Sequence, residues 1–278
     1  FLLMIEQAIT ITSSPSLPHF PSAQLIQVYT AAANEQFGPE FIATHNVHAF
    51  NYLSKPYVLK QANKFAVPIN FYYAAQDAGF LKSRSFFATR NMQLLAEAKK
   101  LARLQNQCLD LAPKLYHFDR SKSTLIKSYI EGVTFREMNS DYQKKSLPGI
   151  VKLVQGIHDS GIAIGDAHIK NAIRRNSDHK FLWLDFDGCF AQDFSAKEKA
   201  HDLIKLVYST FTETRDLDLA LSAAEAMEKY VGGFTRSTAV HVLNQLSYTP
   251  LLRFATRTNR QQHNAIKGAL IDVLQIKY

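Results

Sequence analysis

Ile164-Gly165-Asp166-Ala167-His168-Ile169-Lys170-Asn171 and, ten residues on, Phe181-Leu182-Trp183-Leu184-Asp185-Phe186-Asp187-Gly188 are the two stretches that decide the reading of this chain. In each, a short apolar run gives way to a loop rich in Asp, His, Asn and Lys, and the turn Asn176-Ser177-Asp178 lies between them. That pattern predicts two acidic loops flanking a small hairpin. The sequence on either side differs in kind. Downstream of Gly132, periodicity predicts helices at 147–160, stopped by Gly161, and at about 196–212, 216–231, 235–246 and 260–276. Upstream, residues 41–60 read as a hairpin turning at Ser54-Lys55-Pro56, with Tyr57-Val58-Leu59-Lys60 as its second strand.

A helix is predicted from Arg84 to Gln107, with Leu94, Leu95, Ala98, Leu101 and Leu104 on one stripe. Two strands follow, 113–118 and 124–130, joined by the polar turn 119–123 and closed by Glu131-Gly132. These elements describe an α+β chain in which a small sheet-plus-helix part precedes a larger, mainly helical part. The expected division is an irregular arm over 1–24, with three prolines and four serines in residues 12–24, then units over 25–131 and 132–278.

With 278 residues and 46% hydrophobic content the chain can bury a full core. Apolar runs are all too short to span a bilayer. The opening Phe1-Leu2-Leu3-Met4 has no basic leader and runs into Glu6, so no secretory signal is expected, and Met4 reads as the native start. Two cysteines, Cys108 and Cys189, make neither a disulfide framework nor a metal spacing, which fits a reducing cytoplasm. A net charge of +8 suits an anionic partner such as a nucleotide, a nucleic acid or a membrane face. Without like-charge runs, zinc-finger spacing or an aromatic-basic RNA motif, no nucleic-acid partner is expected. Nothing in the residue pattern sets an oligomeric state.

Two acidic loops beside a hairpin can set one carboxylate near an acceptor hydroxyl. A second carboxylate and a carboxamide oxygen can then hold magnesium against phosphates, and phosphoryl transfer requires little beyond such positioning and charge neutralisation. An Asp followed five positions later by Asn, then a strand-borne Asp-Phe-Asp-Gly, resembles the catalytic and metal loops of protein-kinase-like phosphotransferases. The resemblance implies a bilobal protein-kinase-like fold with ATP and Mg2+ as cofactors. Asp166 would orient or deprotonate the acceptor hydroxyl, while Asn171 and Asp185 would ligate magnesium. His168 stands where aminoglycoside-type kinases also carry His and protein kinases carry Lys; a hydrogen bond within the loop is its expected role. Lys170 is placed to approach the transferred phosphate or to face solvent.

By the same resemblance Lys60 would hold the phosphates, with Lys64 and Lys82 as rivals, and Glu97 on the long helix would hold Lys60. Ser128, Tyr129 and Ile130 fall where the connector between kinase lobes bonds the adenine edge through its backbone. Asp202 would support the catalytic loop by accepting its amides. Departures from the family are equally plain. Residues 43–50 contain no glycine, Gly165 and Ile164 replace the usual Arg and His beside the catalytic Asp, and no Ala-Pro-Glu follows the metal motif.

These departures point toward the RIO-like, aminoglycoside-type and lipopolysaccharide kinases. The chain is most similar to the last, the bacterial Kdo and core-heptose kinases, over about residues 45–210. That likeness implies a lipopolysaccharide core sugar or another small-molecule or glycolipid acceptor, and a cytoplasmic protein in peripheral contact with the inner face of the inner membrane. An atypical RIO-like protein Ser/Thr kinase and a pseudokinase that binds nucleotide without turnover are the alternatives. Lys60, Lys64, Lys82, Arg84 and Arg90 are expected to form a basic face for an anionic glycolipid or acidic protein. Residues 253–278 read either as a docking helix or as an ordinary packed terminal helix.

Overall fold

A computed structural model describes residues 45–52, 54–62, 90–165, 167–186, 196–244 and 258–275. Strands β1 (His45–Tyr52) and β2 (Lys55–Ala62) form the expected hairpin, with Ser54 at a φ of 61° in its turn. Strands β3 (Leu115–Asp119) and β4 (Thr124–Ser128) complete an antiparallel sheet of order β1-β2-β4-β3. Register sets Lys60 opposite Leu125 and Val58 opposite Lys127, so these four residues share one face. Leu59 and Ile126 lie on the other face and pack with Phe50 and Tyr57 in a small cluster of their own.

Helix α1 (Arg90–Asn106) lies against β2, β3 and β4. Of its predicted stripe, Leu94, Ala98, Leu101 and Leu104 are buried and Leu95 is half-buried, and Glu97 and Lys100 are buried along with them. The first residues of the predicted helix, 84–89, lie outside the described residues, as do the arm, Lys64, Lys82, Asp187 and Gly188.

At Gly132 the chain enters a second antiparallel sheet of order β5-β6-β7, formed by Gly132–Thr134, Ala172–Arg175 and Phe181–Trp183. The hairpin between the acidic loops is therefore β6-β7, and the short β5, which the sequence reading missed, pairs with it. A side chain at Gly132 would run into the Arg174 carbonyl, so glycine is what lets these two strands meet.

Helix α2 spans Ser140–Asp159 and begins seven residues before the predicted start at Leu147. Pro148 sits inside the helix on an exposed face, where its missing amide leaves one bond unmade without breaking the run. The true start is capped by Asn139, whose side chain accepts from the Tyr142 amide at 2.9 Å. At the other end the amides of Gly161 and Ile162 donate to the carbonyls of His158 and Ile157, and Gly161 takes the left-handed conformation that closes the helix.

Helices α3 (Ala196–Thr214), α4 (Leu217–Tyr230), α5 (Gly233–Asn244) and α6 (Arg260–Leu274) match the remaining predicted spans to within about two residues. Helix α6 packs on α4 and α5 with His263, Ile266, Leu270 and Leu274 buried. Its apolar face packs on the core, as the reading of a packed terminal helix expects, while residues 253–257 and 276–278 of that segment lie outside the described residues. No helix among the described residues is long and apolar enough to cross a membrane.

Candidate active site

Burying charged side chains is unfavourable unless each finds a partner, so a buried cluster of lysines and acids marks where a fold has been built around chemistry. Lys60 is 2% exposed and Glu97 is fully buried. The Lys60 ammonium donates to Glu97 Oε2 at 2.8 Å and to Asp185 Oδ1 at 2.7 Å. Three residues predicted from separate motifs, one on β2, one on α1 and one just past β7, thus meet at a single nitrogen. Asp185 keeps 29% of its side chain exposed, so the cluster opens to solvent on the Asp185 side. This placement corrects the expected basic face, because Lys60 is an interior ion-pair partner rather than a surface charge. Lys64, Lys82 and Arg84 of that face lie outside the described residues, as does the side chain of Arg90.

A second lysine, unforeseen from sequence, completes the cluster. Lys127 on β4 donates to Glu97 Oε1 at 2.6 Å and to the Leu184 carbonyl at 2.7 Å. A third, Lys100, is 1% exposed and donates to the Ile164 carbonyl at 2.9 Å. Both reach backbone just ahead of an acid: Leu184 precedes Asp185, and Ile164 stands two residues before Asp166. In a strand buried on both faces, alternation carries no signal that could have singled out Lys127.

Asn171 ends the 3-10 turn Ile169–Asn171, and its carbonyl accepts from the Leu184 amide at 2.9 Å. That bond fixes the backbones bearing Asn171 and Asp185 side by side. A carboxylate and a carboxamide are hard oxygen donors of the kind magnesium prefers, so this pair fits the expected metal. Asp166 itself lies outside the described residues, but the backbone leading to it is firmly held. Asp202, fully buried on α3, accepts from the amides of Ile164 at 2.7 Å and Gly165 at 2.8 Å, and it meets His158 Nε2 at 3.0 Å. Beyond the loop, the Ile169 amide donates to Ser209 Oγ at 2.9 Å.

His168 Nε2 lies 3.6 Å from Glu213 Oε1 on α3. Lys170 is exposed. At the connector, β4 ends at Ser128, two residues short of the predicted strand end. The Ser128 amide donates to the Lys114 carbonyl at 2.9 Å, its hydroxyl accepts from the Lys114 amide at 3.0 Å, and the Tyr129 amide points to the Pro56 carbonyl at 3.4 Å. Ile130 makes no backbone hydrogen bond among the described residues, which leaves its groups open to a ligand. Tyr129 is 44% exposed. The glycine-free stretch 43–50 proves to lie mostly within β1 itself, so it is not the place where a phosphate-cradling turn would be sought.

No protein-family model matches the chain, and no curated protein sequence matches it. Solved structures do. A structure titled "WaaP in complex with acyl carrier protein" superposes with a TM-score of 0.46 at 10% identity, covering 87% of this chain and 92% of that one. The choline kinase LicA from Streptococcus pneumoniae gives 0.43 at 12% identity, covering 91% and 98%. A Rio2 kinase-ADP/Mg2+-phosphoaspartate complex from Chaetomium thermophilum gives 0.43 at 13% identity, covering 90% and 74%. Similarities of this size assign the chain no activity.

Proposed function

We propose that the chain is an ATP- and magnesium-dependent phosphotransferase acting on an alcohol acceptor. The observation that supports it most is the convergence of Lys60, Glu97 and Asp185 on one ammonium. A buried lysine between a sequestered carboxylate and a solvent-facing one is poised to exchange the second partner for a phosphate, while the first keeps it in place. Magnesium-ATP, when bound, supplies the transferable phosphoryl group together with the cation that neutralises its charge. Asp185 and Asn171 are the residues that would hold that cation. Ile130 would meet the adenine edge through its backbone; Ser128 and Tyr129, whose amides are already engaged, would contribute at most their carbonyls. Asp166 would orient the acceptor hydroxyl and receive its proton, on a loop steadied by Asp202 and Lys100.

As acceptor we propose a sugar hydroxyl of a lipopolysaccharide core, Kdo or heptose, reached at the cytoplasmic face of the inner membrane. What supports this finer reading is the likeness of Tyr57-Val58-Leu59-Lys60, of the basic-aromatic insertion over 71–90 and of Leu184-Asp185-Phe186-Asp187 to that family. The test is transfer of labelled γ-phosphate to core-sugar fragments and, in parallel, to generic proteins. Label on the sugar alone is the expected result, and label on protein alone, including the chain itself, would favour the RIO-like alternative. The pseudokinase alternative keeps the sequence feature that favours it, since Gly38 is the single glycine among residues 1–60, and Mg-ATP binding without transfer to any acceptor would support it.

A further inference from the structure

Lys127 has no counterpart in the motif-based assignment, yet it is as deeply placed as Lys60, with 8% of its side chain exposed. The two lysines divide one carboxylate between them. Lys60 holds Glu97 Oε2 and Lys127 holds Glu97 Oε1, so neither oxygen of this fully buried group depends on the same cation. Counting Asp185, these contacts join two ammonium and two carboxylate groups.

Building on the phosphotransferase reading, we propose that Lys127 is a positioning residue of the nucleotide site: it gives Glu97 a counter-ion of its own, so that Lys60 is free to be shared with phosphate. With Lys60 as its sole partner, Glu97 would lose compensation whenever an anionic ligand drew the ammonium away, and an uncompensated buried carboxylate is strongly destabilised. Lys127 removes that conflict. As Lys60 leans toward the phosphates, Glu97 stays paired with Lys127, and the Leu184 carbonyl keeps the Lys127 ammonium from following. A lysine is a costly choice for a strand position facing a buried helix, where an apolar residue would extend the row begun by Leu125. Its retention there is explained by the charge it supplies to Glu97.

The experiment measures Mg-ATP affinity calorimetrically, with KM for ATP and kcat alongside. The proteins are the full chain and its variants Lys127→Met, Lys127→Gln, Glu97→Gln and the double variant Lys127→Met/Glu97→Gln. Lys127→Met is expected to weaken Mg-ATP binding about tenfold, with KM rising more than kcat falls, as for loss of one partner of a buried charge pair. Lys127→Gln retains a donor for Leu184 but no charge, and it is expected to weaken binding similarly even if Lys127→Met does not fold. In the Glu97→Gln background Lys127→Met is expected to add less than about twofold, because the carboxylate it serves is already gone. Wild-type affinity in Lys127→Gln, or full additivity in the double variant, would overturn the proposal while leaving the phosphotransferase reading intact. Absence of Mg-ATP binding by the unmodified chain would overturn both.

Discussion

Gly165 takes a φ of 89° immediately before Asp166 and gives its amide to Asp202 Oδ1 at 2.8 Å. A side chain at this position would strain the left-handed backbone by about 1 kcal/mol or more. We therefore expect Gly165→Ala to lower kcat for phosphoryl transfer at least tenfold while changing Mg-ATP affinity little, since Lys60, Glu97 and Asp185 are untouched; steady-state kinetics with calorimetry separates the two. Loss of nucleotide affinity equal to the loss of kcat would show that the strain spreads beyond the loop. At this scale the sequence was informative where a motif resembled a known pattern: that resemblance named Lys60, Glu97 and Asp185, and the three meet. Lys100 and Lys127 were illegible because a lysine in an amphipathic helix or a short strand reads as a solvent-facing charge. Only the fold reveals that both point inward at carbonyls.

Among elements, the β6-β7 hairpin lies between the two acidic loops and is tied to the rest of the chain by one arginine. Arg175 at the end of β6 spans Asp110, beyond α1, and Asp178, in the hairpin turn, donating to Asp110 Oδ1 at 3.0 Å and to Asp178 Oδ1 at 2.8 Å. Hydrogen bonds from Arg175 hold both carboxyls below their usual range. Depressed carboxylates contribute stability that is present above their unfolded pKa and lost as pH falls through the folded values. The stability advantage of the unmodified chain over Arg175→Met is thus expected to be constant near neutrality and to shrink on acidification below about pH 4, as thermal unfolding against pH would record. Solvent around these carboxylates keeps the advantage small. An advantage that grew on acidification would contradict this sign. Helix spans were legible because buried stripes recur at helical spacing, whereas β5, three residues long and half-exposed, has no pattern of its own and exists because β6 is there to pair with it.

For the whole molecule, the groups of the buried cluster and its flanking loops come from elements spread along the chain. The first sheet and α1 bring Lys60, Lys127 and Glu97; the second sheet brings Asn171 and Asp185; α3 holds the catalytic-loop backbone from behind through Asp202 and Ser209. We place the division between the two parts at Gly132, where the chain leaves the first sheet and pairs with the strands of the second. Comparison by sequence found no relative; the two-part order of elements could be read from local patterns, and the meeting of Lys60, Glu97 and Asp185 from the resemblance of their motifs, without Lys127. The acceptor could not, since no described group of the cleft is specific to a sugar or to a protein hydroxyl.

The central claim is that Lys60, Glu97, Asn171 and Asp185 hold Mg-ATP for transfer by a loop centred on Asp166. It is tested most directly by following labelled γ-phosphate from ATP, with magnesium, in the unmodified chain, Asp166→Ala and Asp185→Asn. The account predicts transfer by the unmodified chain that both substitutions reduce at least a hundredfold, with Mg-ATP affinity impaired in Asp185→Asn and nearly retained in Asp166→Ala. Transfer at an unaltered rate in both variants, or an unmodified chain that binds no Mg-ATP, would contradict it.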